Sequence, residues 1–294
     1  MRTRFARRCA GIAMWVASAT TLAACGGSTP DDGKPIVVAS TNVWGDIATV
    51  IAGPDATVRA LITDRYADPH SHETSAVESA ALRDADLVVY NGGGYDEFAE
   101  KAVADTSTRV VNAFAVRADK SDDNEHVWYD MNTVDVVAER IATQLGELDP
   151  DHAAAYTERA QAFRNQLTDI AAITGKLAAE QPGTPVLQTE PLAYYLLRAA
   201  GAEDLTPHEF QEAIEQETDP APAAFAATRD LLTDKRVRVL VFNAQTSDKI
   251  TEELRDIASD AGIAIVEVTE TIPEGMDYLQ WQTANAQAFA AAVS

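Results

Sequence analysis

The sequence contains very little cysteine, only Cys9 and Cys25 in 294 residues. Both lie near the amino terminus, in a segment with the composition of an export signal. We expect Cys9 to be removed with that signal and Cys25 to stand at the new amino terminus, so no cysteine is left for a disulfide. An exported chain without disulfides must be stable through its core alone, and about 270 mature residues are ample for such a core.

Basic residues are also scarce, with 23 Lys and Arg against 46 Asp and Glu. Four of the 23 are arginines within the first eight residues, so the net charge of the mature chain is 19 minus 46, or −27. Such an acidic chain is unsuited to binding nucleic acid, and we expect no nucleic-acid partner. Acidity also raises the concentration of cations near the surface, although solubility outside the cell accounts for the same charge.

A hydrophobic run long enough to cross a membrane is missing near the amino terminus. The apolar run from Cys9 to Ala24 has 16 residues, whereas a spanning helix needs ~20. Because it follows the four arginines, we interpret residues 1–24 as a signal peptide. The run ends in Leu22-Ala23-Ala24-Cys25, which resembles the bacterial lipobox, whose cysteine carries a diacylglycerol.

Residues 25–34 contain no large apolar side chain and are predicted to form a flexible tether between the lipid on Cys25 and the folded domain. The competing interpretation is a plain signal peptide followed by an incidental cysteine. A spacer directly after the cysteine favours the lipid anchor.

From Ile36 onward, short apolar segments such as Leu87–Tyr90 alternate with helical patterns such as Ser75–Asp84. This alternation predicts an α/β fold with mostly parallel sheets flanked by helices. The chain breaks at Gln181–Pro185 and then resumes the same alternation. We therefore predict two α/β lobes, residues 35–147 and residues 182–294.

The stretch between the lobes, residues 148–181, predicts one long helix. From Pro150 to Glu180 it has no glycine before Gly175 and no internal proline, and it is rich in Ala, Leu, Glu, Gln and Arg. Such a helix is roughly 40 to 45 Å long, more than a crossover within one lobe requires. We interpret it as a rigid connector between the lobes.

Two of the five histidines lie in loops where α/β folds bind ligands. His70 follows a predicted strand and precedes a helix, and His126 precedes another helix. Neutral imidazole is a good ligand for zinc, iron and manganese, and the fixed φ of Pro69 helps to hold the chain at His70. A histidine taken alone is more often a surface residue than a ligand. His72 is expected to point away from the metal, either beside the ligands or into solvent, and His152 and His208 are expected to be surface residues.

Four segments then occur in order: Val38–Ala48, Asp68-Pro69-His70, Ala85–Gly92 and His126-Val127-Trp128. Their order and intervals resemble those of the zinc- and manganese-binding proteins of bacterial ABC importers, over nearly all of the mature chain. The resemblance implies two α/β lobes joined by one long helix, with a single metal ion between them. It implies two ligands from each lobe, and His70 and His126 as those of the first.

In the second lobe, the segment Gln188–Leu196 resembles the turn that supplies the family's third ligand, which here is Glu190. A carboxylate that stabilises a helix amino terminus is the competing interpretation of Glu190. The segment Val266–Pro273 resembles the one in which the family usually places an aspartate. Here that position is Glu270, and Asp277 is the alternative fourth ligand.

Two imidazoles and two carboxylates suit zinc, manganese and ferrous iron. We expect one divalent ion, with zinc first, manganese next and ferrous iron also compatible. The loop before His126 is short and acidic where many zinc members carry a histidine-rich insert, and this counts against zinc. Imidazole binds metal only when it is neutral, and the ordinary histidine pKa is about 6.5. If both histidines are ligands, we expect metal affinity to fall by about two decades per pH unit well below that pKa.

The resemblance implies a monomeric, extracytoplasmic solute-binding lipoprotein that delivers its ion to the permease of an ABC importer in the cell membrane. We expect no enzymatic activity, because four protein ligands leave no open coordination position and the chain has no H-E-x-x-H pattern. One alternative is a surface adhesin with a stabilising metal. Another is a siderophore- or cobalamin-binding lipoprotein of similar fold, which does not need such a ligand cluster.

Overall fold

The computed structural model describes residues 33–64, 67–216, 218–245 and 247–294. The predicted signal peptide, the lipidation site at Cys25 and the tether up to Asp32 lie outside these residues. Within them, every helix is too short or too polar to cross a membrane.

Four parallel strands form the sheet of the N-terminal lobe. They are β1 (Ile36–Thr41), β2 (Thr57–Ile62), β3 (Leu87–Tyr90) and β4 (Arg109–Asn112), in the spatial order β2-β1-β3-β4. All four residues of β3 are buried, as expected of a parallel strand that is covered on both faces. The helices of this lobe are α1 (Asn42–Ala52), α2 (Ala76–Asp84), α3 (Glu97–Val103), α4 (Ala113–Val116) and α5 (Met131–Leu148).

A 28-residue helix, α6 (Ala153–Glu180), leads out of the N-terminal lobe. It is preceded by a 3₁₀ turn at Pro150–His152, so the helix begins slightly later than the sequence pattern predicts. At about 1.5 Å per residue it is about 42 Å long. It packs along α1 and α5.

The C-terminal lobe repeats the strand order of the first. Its strands are β5 (Pro185–Gln188), β6 (Glu203–Asp204), β7 (Val239–Asn243) and β8 (Ala264–Val268), all parallel, in the order β6-β5-β7-β8. Its helices are α7 (Tyr194–Ala199), α8 (His208–Glu215), α9 (Pro222–Thr233), α10 (Lys249–Ala261) and α11 (Tyr278–Val293). Because α11 packs against both β8 and α6, the long helix touches both lobes.

The predicted fold class is confirmed, with two parallel sheets flanked by helices and one long helix between them. Two elements of the C-terminal lobe were not predicted. Strand β6 has only two residues, too few for a periodic pattern, and α8 lies in a polar stretch after Pro207. The omission of α8 matters, because its last residue reaches the site described below.

One continuous buried core runs through both lobes and the long helix. It contains Trp44 of the N-terminal lobe, Phe163 of α6 and Trp281 of the C-terminal lobe. Across the lobes, the hydroxyl of Tyr278 donates a hydrogen bond to the carbonyl of Trp128 at 2.6 Å. Helix α6 therefore packs one face into the core of the protein and is not a linker exposed on all sides.

Replacing Phe163 with alanine tests the role of α6 in this shared core. The ring is fully buried and lies 6.1 Å from that of Tyr278, so its removal leaves a cavity at the junction. We expect Phe163→Ala to lower the free energy of unfolding by about 3–5 kcal/mol in urea titrations followed by circular dichroism. Gln166→Ala, on the exposed face of the same helix, is the control and should change it by no more than about 0.5 kcal/mol. Equal stability of the two variants would contradict a packed connector.

Candidate metal centre

A cavity of about 780 Å³ opens among loops that follow strands of both lobes, the usual position of ligand sites in α/β folds. The structure brings all four sequence-predicted residues to its wall: His70, His126, Glu190 and Glu270. Further carboxylates line the same cavity, namely Asp68, Glu125, Glu215, Asp219 and Asp248. None of the described residues that line it is Lys or Arg. The wall is therefore suited to a cation.

His70 is held by a tight turn after β2. The carboxylate of Asp68 accepts hydrogen bonds from the backbone N–H groups of His70, at 2.9 Å, and of Ser71, at 3.2 Å. The imidazole Nε2 lies 3.1 Å from Oε1 of Glu125, and the ring contacts the ring of Tyr95 edge-on at 5.0 Å. The side chain remains 37% exposed, so His70 lies at the open side of the cavity.

The surroundings of His70 favour its charged form. Burial lowers the pKa of the imidazole, but the hydrogen bond and charge of Glu125, together with the charges of Asp68 and Glu270, outweigh burial and raise the pKa to about 9. His70 must therefore lose a proton before it can bind a metal ion near neutral pH.

His126 is almost fully buried, with only 2% of its side chain exposed. Its backbone N–H donates to Oδ1 of Asn124 at 3.0 Å, and its ring Nδ1 lies 3.3 Å from the same oxygen. The amide of Asn124 is oriented by donating to the carbonyl of Pro191 at 2.9 Å. Since Oδ1 can only accept, Nδ1 carries the proton, and Nε2 presents its lone pair to the cavity. Nε2 lies 3.5 Å from Oε1 of Glu215.

The two histidines differ in charge because they differ in burial. Burial and then the charge of His70 lower the pKa of His126 to about 3, so this imidazole is neutral in ordinary buffers. Burial, followed by the charges of Glu125 and Glu190, raises the pKa of Glu215 to about 8. A protonated Glu215 can donate a hydrogen bond to the neutral Nε2. The expectation of two ordinary histidines that titrate together near 6.5 is thus wrong.

The two predicted carboxylates of the C-terminal lobe share one amide. Glu190 and Glu270 each follow a strand by two residues, β5 and β8 respectively, and Asn243 ends the strand between them, β7. Nδ2 of Asn243 donates to Glu190 at 2.6 Å and to Glu270 at 3.1 Å. The hydroxyl of Tyr95 donates to the other oxygen of Glu270 at 3.3 Å. Burial raises the pKa of Glu270, and the bond from Asn243 partly offsets this.

The competing interpretations of the carboxylates find little support. Glu190 precedes a 3₁₀ turn but makes no capping hydrogen bond to it. Asp277, the alternative fourth ligand, does not line the cavity and instead caps α11, where it accepts a hydrogen bond from the backbone of Gln280 at 2.8 Å. His72 packs its ring on Phe98, at 4.6 Å between ring centroids, and does not line the cavity.

Sequence reasoning missed several residues that line or support the cavity, among them Glu125, Glu215 and Asn243. Two of them could have been found from their positions in the sequence. Glu125 directly precedes the predicted ligand His126, and Asn243 is a polar residue at the carboxyl end of a fully buried strand, where α/β folds bind ligands. Glu215 gave no such signal, since it ends the unpredicted helix α8. One ligand atom each from His70, Glu125 and Glu215 lie within 4.8 Å of one another.

The loop that carries His126 is held by the C-terminal lobe. Besides the bond from Asn124 to Pro191, the hydroxyl of Tyr195 lies 2.7 Å from Oδ1 of Asp122 and 2.8 Å from the carbonyl of Asn124, and it can donate its one proton to either acceptor. These contacts hold the acidic loop at Asp122 and at Asn124, the residue that orients the imidazole.

The loop that carries Glu270 is held, conversely, by the N-terminal lobe. The side chain of Asn42 donates to the carbonyl of Ile272 at 3.2 Å and accepts from its N–H at 3.3 Å. The hydroxyl of Tyr129 donates to the carbonyl of Thr269 at 2.8 Å. Glu270 is thus bracketed by hydrogen bonds from the opposite lobe on both sides.

Comparison with known proteins places this geometry in a family context. Residues 37–292 match the family model described as zinc-uptake complex component A, periplasmic (ZnuA). The zinc-binding protein TroA of Treponema pallidum is 26% identical over 253 residues, which are 79% of this chain and 77% of that protein. The manganese-binding lipoprotein MntA of Halalkalibacterium halodurans is 31% identical over 158 residues, 50% of this chain and about half, 52%, of that relative.

Among solved structures, the laminin-binding protein Lmb of Streptococcus agalactiae superposes with a TM-score of 0.75 over 89% of this chain and 100% of that one. At 23% identity this likeness concerns the fold. The family match, by contrast, covers both lobes, the long helix and all four residues that the sequence predicted for the site. The chain belongs to the ZnuA family of periplasmic zinc-uptake components.

Proposed function

We propose that this protein captures one divalent transition-metal ion in the cavity between its lobes and delivers it to the permease of an ABC importer. The observation that carries the proposal is the placement of His70, His126, Glu190 and Glu270 on one cavity wall that contains no described Lys or Arg side chain. The ion is the cargo of the protein.

The charge balance of the wall supports a cation as ligand. Glu190 and Glu270 are buried and accept hydrogen bonds from the same amide, which places two carboxylates close together in a region of low dielectric. Burial of an ionised carboxylate costs several kcal/mol unless an opposite charge compensates it. A divalent ion supplies that charge, and with two imidazoles and two carboxylates the site becomes formally neutral.

The donor set is compatible with zinc, manganese and ferrous iron. We place zinc first, because the family is described by zinc uptake, and manganese next. Four protein ligands leave no open position at which a bound water could be activated, so the proposed role is transport and not catalysis. The protein acts as a monomer. A lipid on Cys25 holds it at the outer face of the membrane, next to the permease.

The alternative function is that of a surface adhesin with a stabilising metal. The similar fold of Lmb supports this alternative, because that protein is described as having both adhesin and metal-transporting activity. A carrier must release its ion, whereas a structural site need not. The partial exposure of His70 gives the ion a route to solvent, which favours a carrier.

Removal of single ligands tests the site. We expect His70→Ala, His126→Ala, Glu190→Ala and Glu270→Ala each to lose more metal affinity than the ~10–100-fold typical of outer-shell residues, because each opens a coordination position. Zinc and manganese affinities are measured by competition with a chelator, and stoichiometry by native mass spectrometry. His72→Ala is the matched control, two residues from His70 but outside the cavity, and should bind like wild type. Unchanged affinity in the His126 variant would remove it from the site.

Metal affinity should fall as the pH drops from about 9, because His70 has a raised pKa and binds metal only after losing its proton. His126, with a pKa of about 3, is already neutral and adds no dependence in this range. We therefore compare the slope of log Kd against pH between about pH 6 and about pH 8.5. This slope should be shallower by about one in His70→Ala than in wild type, because the variant has no proton to release at this position.

The same chelator competition, repeated across this pH range, measures both slopes. His72→Ala is again the control and should follow wild type. If the His70→Ala slope equals that of wild type, the proton released on binding does not come from His70.

The anchor and the site lie on separate segments, so they should be separable by mutation. We expect Cys25→Ala to move the protein from the membrane fraction to the soluble extracytoplasmic fraction while its metal affinity stays at the wild-type value. Fractionation with immunodetection measures the first outcome, and chelator competition the second. Retention of the variant in the membrane would refute lipidation at Cys25.

A further inference from the structure

The metal-binding side chains of the cavity fall into two groups by exposure. His126, Glu190 and Glu270 are buried. The side chains of His70, Glu125 and Glu215 are 37%, 15% and 23% exposed, and we call these three residues the outer trio. An ion that enters from solvent meets the outer trio before it meets the buried ligands.

The outer trio has the geometry of a cation site in its own right. One ligand atom from each residue lies within 4.8 Å of the other two, and Nε2 of His70 is 3.1 Å from Glu125. In a tetrahedral zinc site, ligand atoms about 2.0–2.2 Å from the ion lie roughly 3.3–3.6 Å from one another, so the trio completes the site when its ligand atoms approach one another by up to about 1.3 Å. Three separate elements contribute: the loop after β2, the loop before α5 and the end of α8.

Glu215 also connects the outer trio to the buried ligands. Its Oε1 lies 3.5 Å from Nε2 of His126, the nitrogen that faces the cavity because Nδ1 points at Asn124. A carboxylate has two oxygens with several lone pairs, so it can hold an ion on one side while it faces a second ligand on the other. A buried imidazole directed at Glu215 is an observation independent of the trio itself.

The size of the cavity leaves room for such a second position. At about 780 Å³ it is far larger than the volume of about 30 Å³ that one water molecule takes up in liquid water. An ion at the outer trio can therefore keep part of its hydration shell.

We propose that His70, Glu125 and Glu215 form an outer cation site that receives an incoming divalent metal ion, and that Glu215 passes the ion inward to His126. This rests on the proposed function, because the buried ligands are taken as the destination of the ion. His70 belongs to both positions, so the ion moves inward without leaving it.

The test uses a variant that lacks the buried carboxylates, Glu190→Gln with Glu270→Gln, and Mn²⁺ as the probe. Free Mn²⁺ is counted by electron paramagnetic resonance, and folding is checked by circular dichroism. We expect wild type to bind one ion tightly, and the double variant still to bind one ion, at least about tenfold more weakly. Adding Glu215→Gln should abolish this residual binding. Adding Asp219→Asn, which also replaces a carboxyl group of the same cavity with an amide but lies outside the trio, should not.

A folded double variant that binds no Mn²⁺ would overturn the outer site, and so would residual binding that survives Glu215→Gln. Equal losses from Glu215→Gln and Asp219→Asn would also overturn it, because they would indicate a general field effect. Failure of wild type to bind any Mn²⁺, Zn²⁺ or Fe²⁺ would instead refute the proposed function, so the two failures are distinguishable.

If the double variant does not fold, stopped-flow measurement of Mn²⁺ association in the wild-type background decides the question. We expect Glu215→Gln to slow Mn²⁺ association by about tenfold and Asp219→Asn to slow it much less. Only Glu215→Gln removes a ligand of the outer site that binds the incoming ion first. Equal association rates for the two variants would overturn the proposal.

Discussion

The geometry of the candidate site depends on the placement of two carboxylates beside one amide. Glu190 and Glu270 are buried where like charges repel strongly, and Asn243 donates to both. The strand order makes this possible, since β7 lies between β5 and β8 and ends in Asn243. A neutral donor relieves only part of the repulsion, and in the proposed metal site a divalent ion would supply the remaining compensation. The sheet of the C-terminal lobe therefore presents an anionic pair at the point where the N-terminal lobe presents its two imidazoles.

The family that the sequence resembles usually has an aspartate at the position of Glu270. Glutamate extends the reach of the carboxylate by one methylene. Both of its oxygens are oriented, one by Asn243 and the other by Tyr95 of the opposite lobe. Each oxygen keeps a lone pair, so the group can bind an ion through one oxygen or through both. The site can thus provide four-coordination, which zinc prefers, or a higher number.

The fold could be predicted from sequence because it rests on local periodicity: strands and helices alternate, and the long helix lacks breakers. His70 and His126 were recognisable by their loops, whereas Glu190 and Glu270 were recognisable only through the resemblance. Asn243 and Glu215 were not found, because their roles depend on which strands are neighbours and on a polar helix without a clear pattern. Nor could the sequence separate the protonation states of the two histidines, since these follow from burial and nearby charge.

The hydrogen bonds between the lobes have a consequence for how the site opens. The loop of His126 is fastened to Pro191 and Tyr195, and the loop of Glu270 is fastened to Asn42 and Tyr129. Separating the lobes therefore pulls each ligand loop away from the residues that shape it. Closure of the protein and the arrangement of the cavity wall are therefore coupled. In the proposed metal site, a partner that separates the lobes would release the ion by moving its ligands apart, without contacting the ion itself.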